Sequence, residues 1–213
     1  MNEYIRPHRD SAVLLTIDTQ NDFTLPGAPA EIEGTAEAVP RMQRLVETFR
    51  SKDKPIVHVV RLYEQDGSNV DRCRRERIES GAEIVRPGTD GAELVEELKP
   101  SANVRLDADQ LLHGEFQEVG SREWIMYKPR WSAFYRTELD DFLDALSVDT
   151  VVVCGCNFPN CPRTTIYEAS ERDYRLVFVS DATSGVYERG IMELENIGVT
   201  VRETADTVRW ISE

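Results

Sequence analysis

The sequence predicts a three-layer α/β/α fold built on a central, mostly parallel sheet, and three observations carry that expectation. Short β-branched runs such as Val151-Val152-Val153 are apolar throughout, as strands covered on both faces must be. Between these runs lie segments with apolar residues at helical spacing, so strands and helices alternate along the chain. Several runs also end in a charged residue, Asp18, Lys128 and Asp181 among them. In parallel α/β sheets the functional groups gather beyond the carboxyl ends of the strands.

The elements follow in order. Ala12-Val13-Leu14-Leu15-Thr16-Ile17 is a first buried strand closed by Asp18. Residues 35–51 place Ala38, Met42, Leu45, Val46 and Phe49 at helical spacing, and residues 55–60 form a second strand. Residues 62–90 are polar and arginine-rich and read as a long excursion over the surface, followed by a short helix at 92–98 that Pro100 closes. Residues 101–123 form an extra segment, readable as a pocket cover, a subunit interface or a variable surface hairpin. Trp124-Ile125-Met126-Tyr127 is a strand leading into Lys128, and Leu139, Phe142, Leu143 and Leu146 mark the next helix face. After the Val151 strand come a helix at 162–172, a strand at 176–179 ending at Asp181, a helix at 186–196 and a last strand at 199–201. No linker or charge block divides the 213 residues, so a single domain over 1–213 is expected.

Composition narrows the function classes. The net charge of −14 repels phosphate and argues against nucleic acid or an anionic membrane as partner. No apolar run reaches the ~20 residues of a membrane span, and the first residues lack a signal-peptide core, so a cytoplasmic protein is expected. Lysine occurs only at positions 52, 54, 99 and 128; with so much acid, this fits either adaptation to high salt or a GC-rich genome. The cysteines are Cys73, Cys154, Cys156 and Cys161, and Cys-x-Cys-x4-Cys matches no common zinc spacing.

The chemistry concentrates around Cys161. Gly155 and Pro159 break the Val151 strand, and Pro162 suits the first turn of a helix, where no backbone N–H is needed. Cys161 therefore sits where unpaired N–H groups and the positive end of a helix dipole converge. That setting is expected to pull the thiol below its usual ~8.5 and to hold a tetrahedral oxyanion. Asp18, a carboxylate following a buried strand, needs a cationic partner, and Lys128 is the obvious candidate. Alone, Asp18 reads as a turn residue and Lys128 as a surface lysine. Together with Cys161 they make a base, an electrostatic partner and a nucleophile.

Three segments in this order resemble the isochorismatase-like cysteine hydrolase superfamily, which includes nicotinamidases and N-carbamoylsarcosine amidase. Residues 14–23 are similar to its opening strand with Asp, Gln and Asp-Phe. Residues 128–139 resemble its Lys-x3-Ser-x-Phe-x2-Thr-x-Leu pattern, and residues 155–174 its Gly-x5-Cys-x3-Thr-x3-Ala-x4-Tyr segment. The resemblance implies a six-stranded parallel sheet, a triad of Asp18, Lys128 and Cys161, and a non-proline cis peptide at Cys156–Asn157. It further implies an oxyanion hole from the Asn157 and Cys161 N–H groups and a homodimer or homotetramer. The expected activity is cleavage of a C–N bond in a small amide, N-carbamoyl compound or ureide through a thioester.

Departures from the pattern matter as much. Nicotinamidases of this kind hold a metal through an Asp-x-His pair and a later His after the second strand. Here the region reads Ile56-Val57-His58-Val59-Val60-Arg61-Leu62-Tyr63, and the only histidines are His8, His58 and His113. No catalytic metal or other cofactor is expected, and His58 reads as a satisfied core histidine. The isochorismate-cleaving members lack the cysteine, so its presence speaks against vinyl-ether hydrolysis. Phe158-Pro159-Asn160 fills a loop that more commonly carries small polar residues. Arg130 and Arg163 are candidate carboxylate clamps, and Phe23, Trp131 and Phe134 candidate apolar walls of a substrate pocket. Two other classes remain: a non-catalytic interaction protein on the same fold, and a thiol-redox enzyme cycling a Cys156–Cys161 disulfide.

Overall fold

The computed structural model describes residues 2–213. The elements run β1 (Ala12–Ile17), α1 (Asn21–Thr24), α2 (Thr35–Ser51), β2 (Ile56–Val60), α3 (Arg72–Glu79), α4 (Ala108–Leu112), β3 (Gln117–Gly120), β4 (Glu123–Tyr127), α5 (Leu139–Ala145), β5 (Thr150–Gly155), α6 (Cys161–Ser170), β6 (Arg175–Thr183), α7 (Glu188–Asn196), β7 (Thr200–Arg202) and α8 (Thr204–Ser212). One sheet has the order β3-β4-β2-β1-β5-β6-β7, and every neighbouring pair is parallel except β3 with β4. The six parallel strands are those the resemblance implied. The seventh, β3, is antiparallel and comes from the extra segment at 101–123, which borders the sheet beyond β4.

β1 lies in the middle and is buried along its whole length. Its alternation sorts side chains between two layers, as the period of a strand requires. Val13, Leu15 and Ile17 pack with Val151, Val153, Ile166 and Phe178, whereas Leu14 packs with Met42, Leu45, Phe49 and Val152 beneath α2 and α8. No helix among the described residues is long and apolar enough to cross a membrane.

Three expectations need correction. Residues 62–90 are not a surface excursion: Leu62, Tyr63, Val70, Ile78, Ile84 and Val85 are buried in a third apolar cluster with Phe23, Leu111 and Ile125. The segment expected to be a helix at 92–98 is extended between two single 3-10 turns, Asp90–Ala92 and Glu96–Leu98. Its backbone pairs instead with the turn after β1, through Asn21 N–H to Glu93 O and Val95 N–H to Thr19 O. β6 continues past Asp181, whose carboxylate accepts bonds from the N–H and hydroxyl of Thr204 and so serves the start of α8, a helix the sequence did not announce.

His58 is the satisfied core histidine the sequence suggested. Its Nδ1 lies 2.8 Å from Thr16 Oγ1 and its Nε2 2.8 Å from Glu123 Oε1. Arg50 completes the network, donating Nε and Nη2 to Glu123, each at 2.7 Å. Despite burial, the Arg50 and His58 bonds hold the Glu123 carboxyl down to about 2 from the ordinary 4.5. The carboxylate thus stabilises the fold above pH 4.5, and that contribution drains away as pH falls toward 2. Thermal unfolding followed from pH 5 to pH 2 should show the melting temperature of the wild type falling more steeply than that of Glu123→Gln. At neutral pH, Glu123→Ala should cost about 3 kcal/mol in urea unfolding, because it strands the buried His58 and the partly buried Arg50.

Candidate active site

Four neighbouring strands deliver the site. In the order β4-β2-β1-β5, their carboxyl ends are followed by Lys128, Arg61, Asp18 and the loop that leads to Cys161. The ladder holds these ends level: Asp18 N–H donates to Val59 O at 2.9 Å and Lys128 N–H to Val60 O at 3.0 Å. Asp18 adopts a positive φ of 52°, turning the chain sharply off the strand. Its Oδ2 accepts a bond from Lys128 Nζ at 2.9 Å, with Lys128 fully buried and Asp18 nearly so. Lys128 Nζ also donates to Arg130 O at 3.2 Å, while Asp18 Oδ1 is buried without a hydrogen-bond partner.

Cys161 is placed by a glycine at the end of β5 and by a threonine bond that holds α6. Gly155 has φ 124°, and a Cβ there would collide with the Ile17 carbonyl, so only glycine lets the end of β5 close on the end of β1. The Cys156–Asn157 peptide is cis. Phe158 N–H donates to Ser184 O, and its buried ring packs on Phe178 and Tyr187, so this departure from the family pattern is a packing residue. Cys161 is the first residue of α6, and neither its N–H nor that of Asn157 has a backbone partner among the described residues. Thr165 Oγ1 accepts from Ala133 N–H at 3.0 Å and Thr137 Oγ1 donates to Ala133 O at 2.6 Å, tying α6 to the loop after Lys128.

The Cys161 thiol is not lowered, as the sequence suggested, but pushed up to about 11. Burial is the main cause and the nearby Asp18 carboxylate adds to it, outweighing Lys128 and Arg61. At neutral pH the resting group is a thiol beside the Asp18 carboxyl group. Cys156 is also a free thiol, donates to Asp18 O at 3.4 Å and is raised further by burial, so it fills the third cluster rather than offering a redox partner.

The candidate substrate residues scatter. Trp131 is partly exposed on the rim of a recess of about 460 Å³ that also touches Asp71, Arg130, Ser132 and Thr164. Arg130 lines that recess but spends Nη1 on the carbonyls of Asn69 and Pro129. Phe23 is buried in the third cluster, and Phe134 lies in the core between Tyr174 and the Arg172 guanidinium. Arg163 is paired with Glu193, bonded to Tyr167 and Tyr187 and stacked over Phe158, so its charge is already committed and the clamp expected there is corrected.

Sequence reasoning missed the buried group beside the triad. Arg61 follows β2, its backbone pinned by both ends of the Gln20 amide at 2.7 Å. Its Nη2 donates to both oxygens of Asp71, at 2.6 and 2.7 Å, and Arg74 Nη1 reaches Asp71 Oδ2 at 3.0 Å and Tyr63 Oη at 3.1 Å. The available signal was position: Arg61 follows a buried strand just as Asp18 and Lys128 do. Arg61 also settles the fit of a nicotinamidase-type metal. The segment after β2 offers a guanidinium, His58 is engaged in the core, and no three His, Cys, Asp or Glu side chains gather as ligands among the described residues. The donor set does not fit such an ion.

Comparison with known proteins gives the family and the fold. A model of the isochorismatase domain family matches residues 12–206. A probable inactive nicotinamidase of Arabidopsis thaliana is 34% identical over 197 residues, 89% of this chain and 90% of that protein. An N-carbamoylsarcosine amidase of Arthrobacter is 25% identical over 202 residues, 93% and 70% of the two chains. A crystal structure of an isochorismatase family protein from Desulfovibrio vulgaris superposes with a TM-score of 0.80 at 34% identity, covering 95% of this chain and 99% of that one.

The raised thiol generates a direct test. Asp18→Asn removes the negative charge beside Cys161, so the pH midpoint of Cys161 alkylation by iodoacetamide should fall below that of the wild type. Peptide-resolved mass spectrometry reads the rate at Cys161 alone, and an unchanged midpoint would contradict the assignment of Asp18 as the thiol's neighbour.

Proposed function

The chain belongs to the isochorismatase family, and from that membership we propose that it hydrolyses a non-peptide C–N bond of a small amide, N-carbamoyl compound or ureide through a Cys161 thioester. The observation that carries this reading is the buried Asp18–Lys128 pair at 2.9 Å, with the second Asp18 oxygen unpartnered in the neighbourhood of Cys161. A carboxylate bonded to a lysine through one oxygen, with the other oxygen free near a thiol, is suited to take its proton.

The steps balance on the chain's own groups. Asp18 Oδ1 accepts the Cys161 proton as the sulfur attacks the carbonyl carbon and the S–C bond forms. The oxyanion is held by the N–H groups of Asn157 and Cys161. As it collapses, the C–N bond breaks and Asp18 returns the proton to the departing nitrogen, releasing ammonia or an amine. Water then gives a proton to Asp18 and attacks the thioester; the C–S bond breaks, the acid leaves, and the proton returns to sulfur. Lys128 stays bonded to Asp18 throughout and orients the carboxylate toward the thiol.

A relative described as a probable inactive nicotinamidase is compatible with this reading, because the donor set for a nicotinamidase-type metal is missing here while Asp18, Lys128 and Cys161 are intact. Soluble assembly as a homodimer or homotetramer belongs to the same proposal and is checked by light scattering. Ammonia release from a panel of carboxamides, N-carbamoyl acids and ureides should fall by about 10³-fold or more in Cys161→Ala and at least 10²-fold in Asp18→Asn. Mass spectrometry of the quenched wild type should show the acyl adduct on Cys161; full turnover by Cys161→Ala would end the proposal.

A further inference from the structure

We propose that Thr35 and Ser184 are positioning residues for the oxyanion hole: through them the start of α2 holds the loop that presents the Asn157 and Cys161 N–H groups to the reacting carbonyl. The role rests on the hydrolase reading, in that Cys161 must attack a carbonyl carbon for an oxyanion to form.

The loop from Asn157 to Asn160 leaves β5 and enters α6 without a strand partner of its own. Asn157, Pro159 and Asn160 are not buried, so the loop has to be held from its inner side. Ser184, just past the end of β6, supplies much of that hold. It donates its N–H to Gly155 O at 3.1 Å, and its carbonyl accepts from Phe158 N–H at 2.8 Å. The two bonds bracket Cys156 and Asn157. Gly185 follows with a φ of 68°, and a Cβ there would stand 3.3 Å from Pro159 Cδ. The turn after β6 therefore lies directly against the loop.

Ser184 is tied in turn to the helical layer on the other side. Thr35, the first residue of α2, donates its hydroxyl to Ser184 Oγ at 2.9 Å, and the two residues are 0% and 3% exposed. The same hydroxyl lies close to the Cys156 thiol, whose Sγ donates to Asp18 O at 3.4 Å. The start of α2 thus meets both halves of the site, the turn that carries Asp18 and the loop that carries the N–H donors.

A buried hydroxyl pair adds little stability over apolar groups of the same shape. Its effect here is directional, because it fixes where the Ser184 backbone stands. Oxyanion donors must lie within hydrogen-bond distance of the charge as it develops, and a misplacement of about 1 Å caused from afar can cost ~10²-fold. Thr35 and Ser184 act through the loop and leave the proton transfers to Asp18.

Two reagents that modify Cys161 separate this role from a purely structural one. With p-nitrophenyl acetate the sulfur adds to the ester carbonyl and the thiol proton passes to Asp18. The S–C bond forms, the C–O bond breaks, p-nitrophenolate leaves, and an oxyanion develops on the way. With iodoacetamide the sulfur displaces iodide, the S–C bond forms, the C–I bond breaks, the proton passes to Asp18 or solvent, and no oxyanion develops. The ratio of acetylation to alkylation rates at Cys161, read by peptide mapping of the full chain, should be about tenfold lower in Thr35→Val than in the wild type. Thr35→Ser should restore most of it. Ser184→Ala should lower it too, and carries the test if Thr35→Val fails to fold; thermal melts report which case holds. With any amide that turns over, kcat should fall by a similar factor at nearly unchanged KM. A change that only loosens the fold moves both reagents alike. Equal ratios in the wild type and the folded variants overturn the role, as do the failure of both variants to fold and a wild-type Cys161 that p-nitrophenyl acetate never acetylates. A lowered ratio without ammonia release from any amide leaves the positioning role standing and removes the hydrolase reading. Cys161-dependent release with equal ratios does the reverse.

Discussion

The buried ion pair of Asp18 and Lys128 is the constraint on which the site depends. Taking both charges out of water costs several kcal/mol per ion, and only close geometry with further bonds repays it. The sheet supplies that geometry. β1 and β4 are separated by β2, so the pair spans a neighbouring strand, and level strand ends are needed for Nζ to meet Oδ2 at 2.9 Å. Lys128 adds the Arg130 carbonyl as a second acceptor, which fixes the loop that then carries Ser132 and Ala133 toward α6. Fold stability and the placement of Asp18 are therefore one problem, solved by the same hydrogen-bond ladder.

The thiol follows from that pair. A helix N-terminus ordinarily favours a thiolate, yet burial and the Asp18 charge push Cys161 up to about 11. Desolvation wins because Cys161 is almost fully covered, and the Asp18 carboxylate adds to it. The consequence is a thiol that rests protonated at neutral pH. Such a cysteine is slow to oxidise or alkylate at that pH, since both need the thiolate.

The strands and the junction at Cys161 were legible in the sequence, and the surrounding electrostatics were not. β1, α2 and β5 announce themselves because buried parallel strands and a long amphipathic helix leave unbroken or periodic apolar patterns. The junction at Cys161 was readable from Gly155 and Pro162, whose backbone limits admit few alternatives. Residues 62–90 misled because Leu62, Val70, Ile78, Ile84 and Val85 are single apolar residues spaced among charges, with no period to mark their burial. Residues 92–98 carry a helical pattern, but the turn after β1 offers its backbone groups, and that long-range pairing outcompetes local propensity. Arg61 was hidden by company: in an arginine-rich stretch one guanidinium reads as solvent-facing, and only the strand order shows it lying between Lys128 and Asp18.

The residues around Asp18 and those around Asp71 rest on different parts of the chain. Asp18, Lys128 and Cys161 hang from strand ends and a helix start that the sheet holds in register, with Gly155 permitting the close approach of β5 to β1. Asp71 and Arg74, by contrast, come from α3 and the residue before it, in a segment joined to the sheet mainly through its own apolar cluster and the Arg61–Asp71 bonds. A segment attached in this way can change its charged residues without disturbing the ladder that positions the base and the thiol. Loops on a rigid scaffold carry specificity for this reason. Arg61 joins the two parts: its backbone is fixed to the sheet through Gln20, while its guanidinium is committed to Asp71 of the other segment.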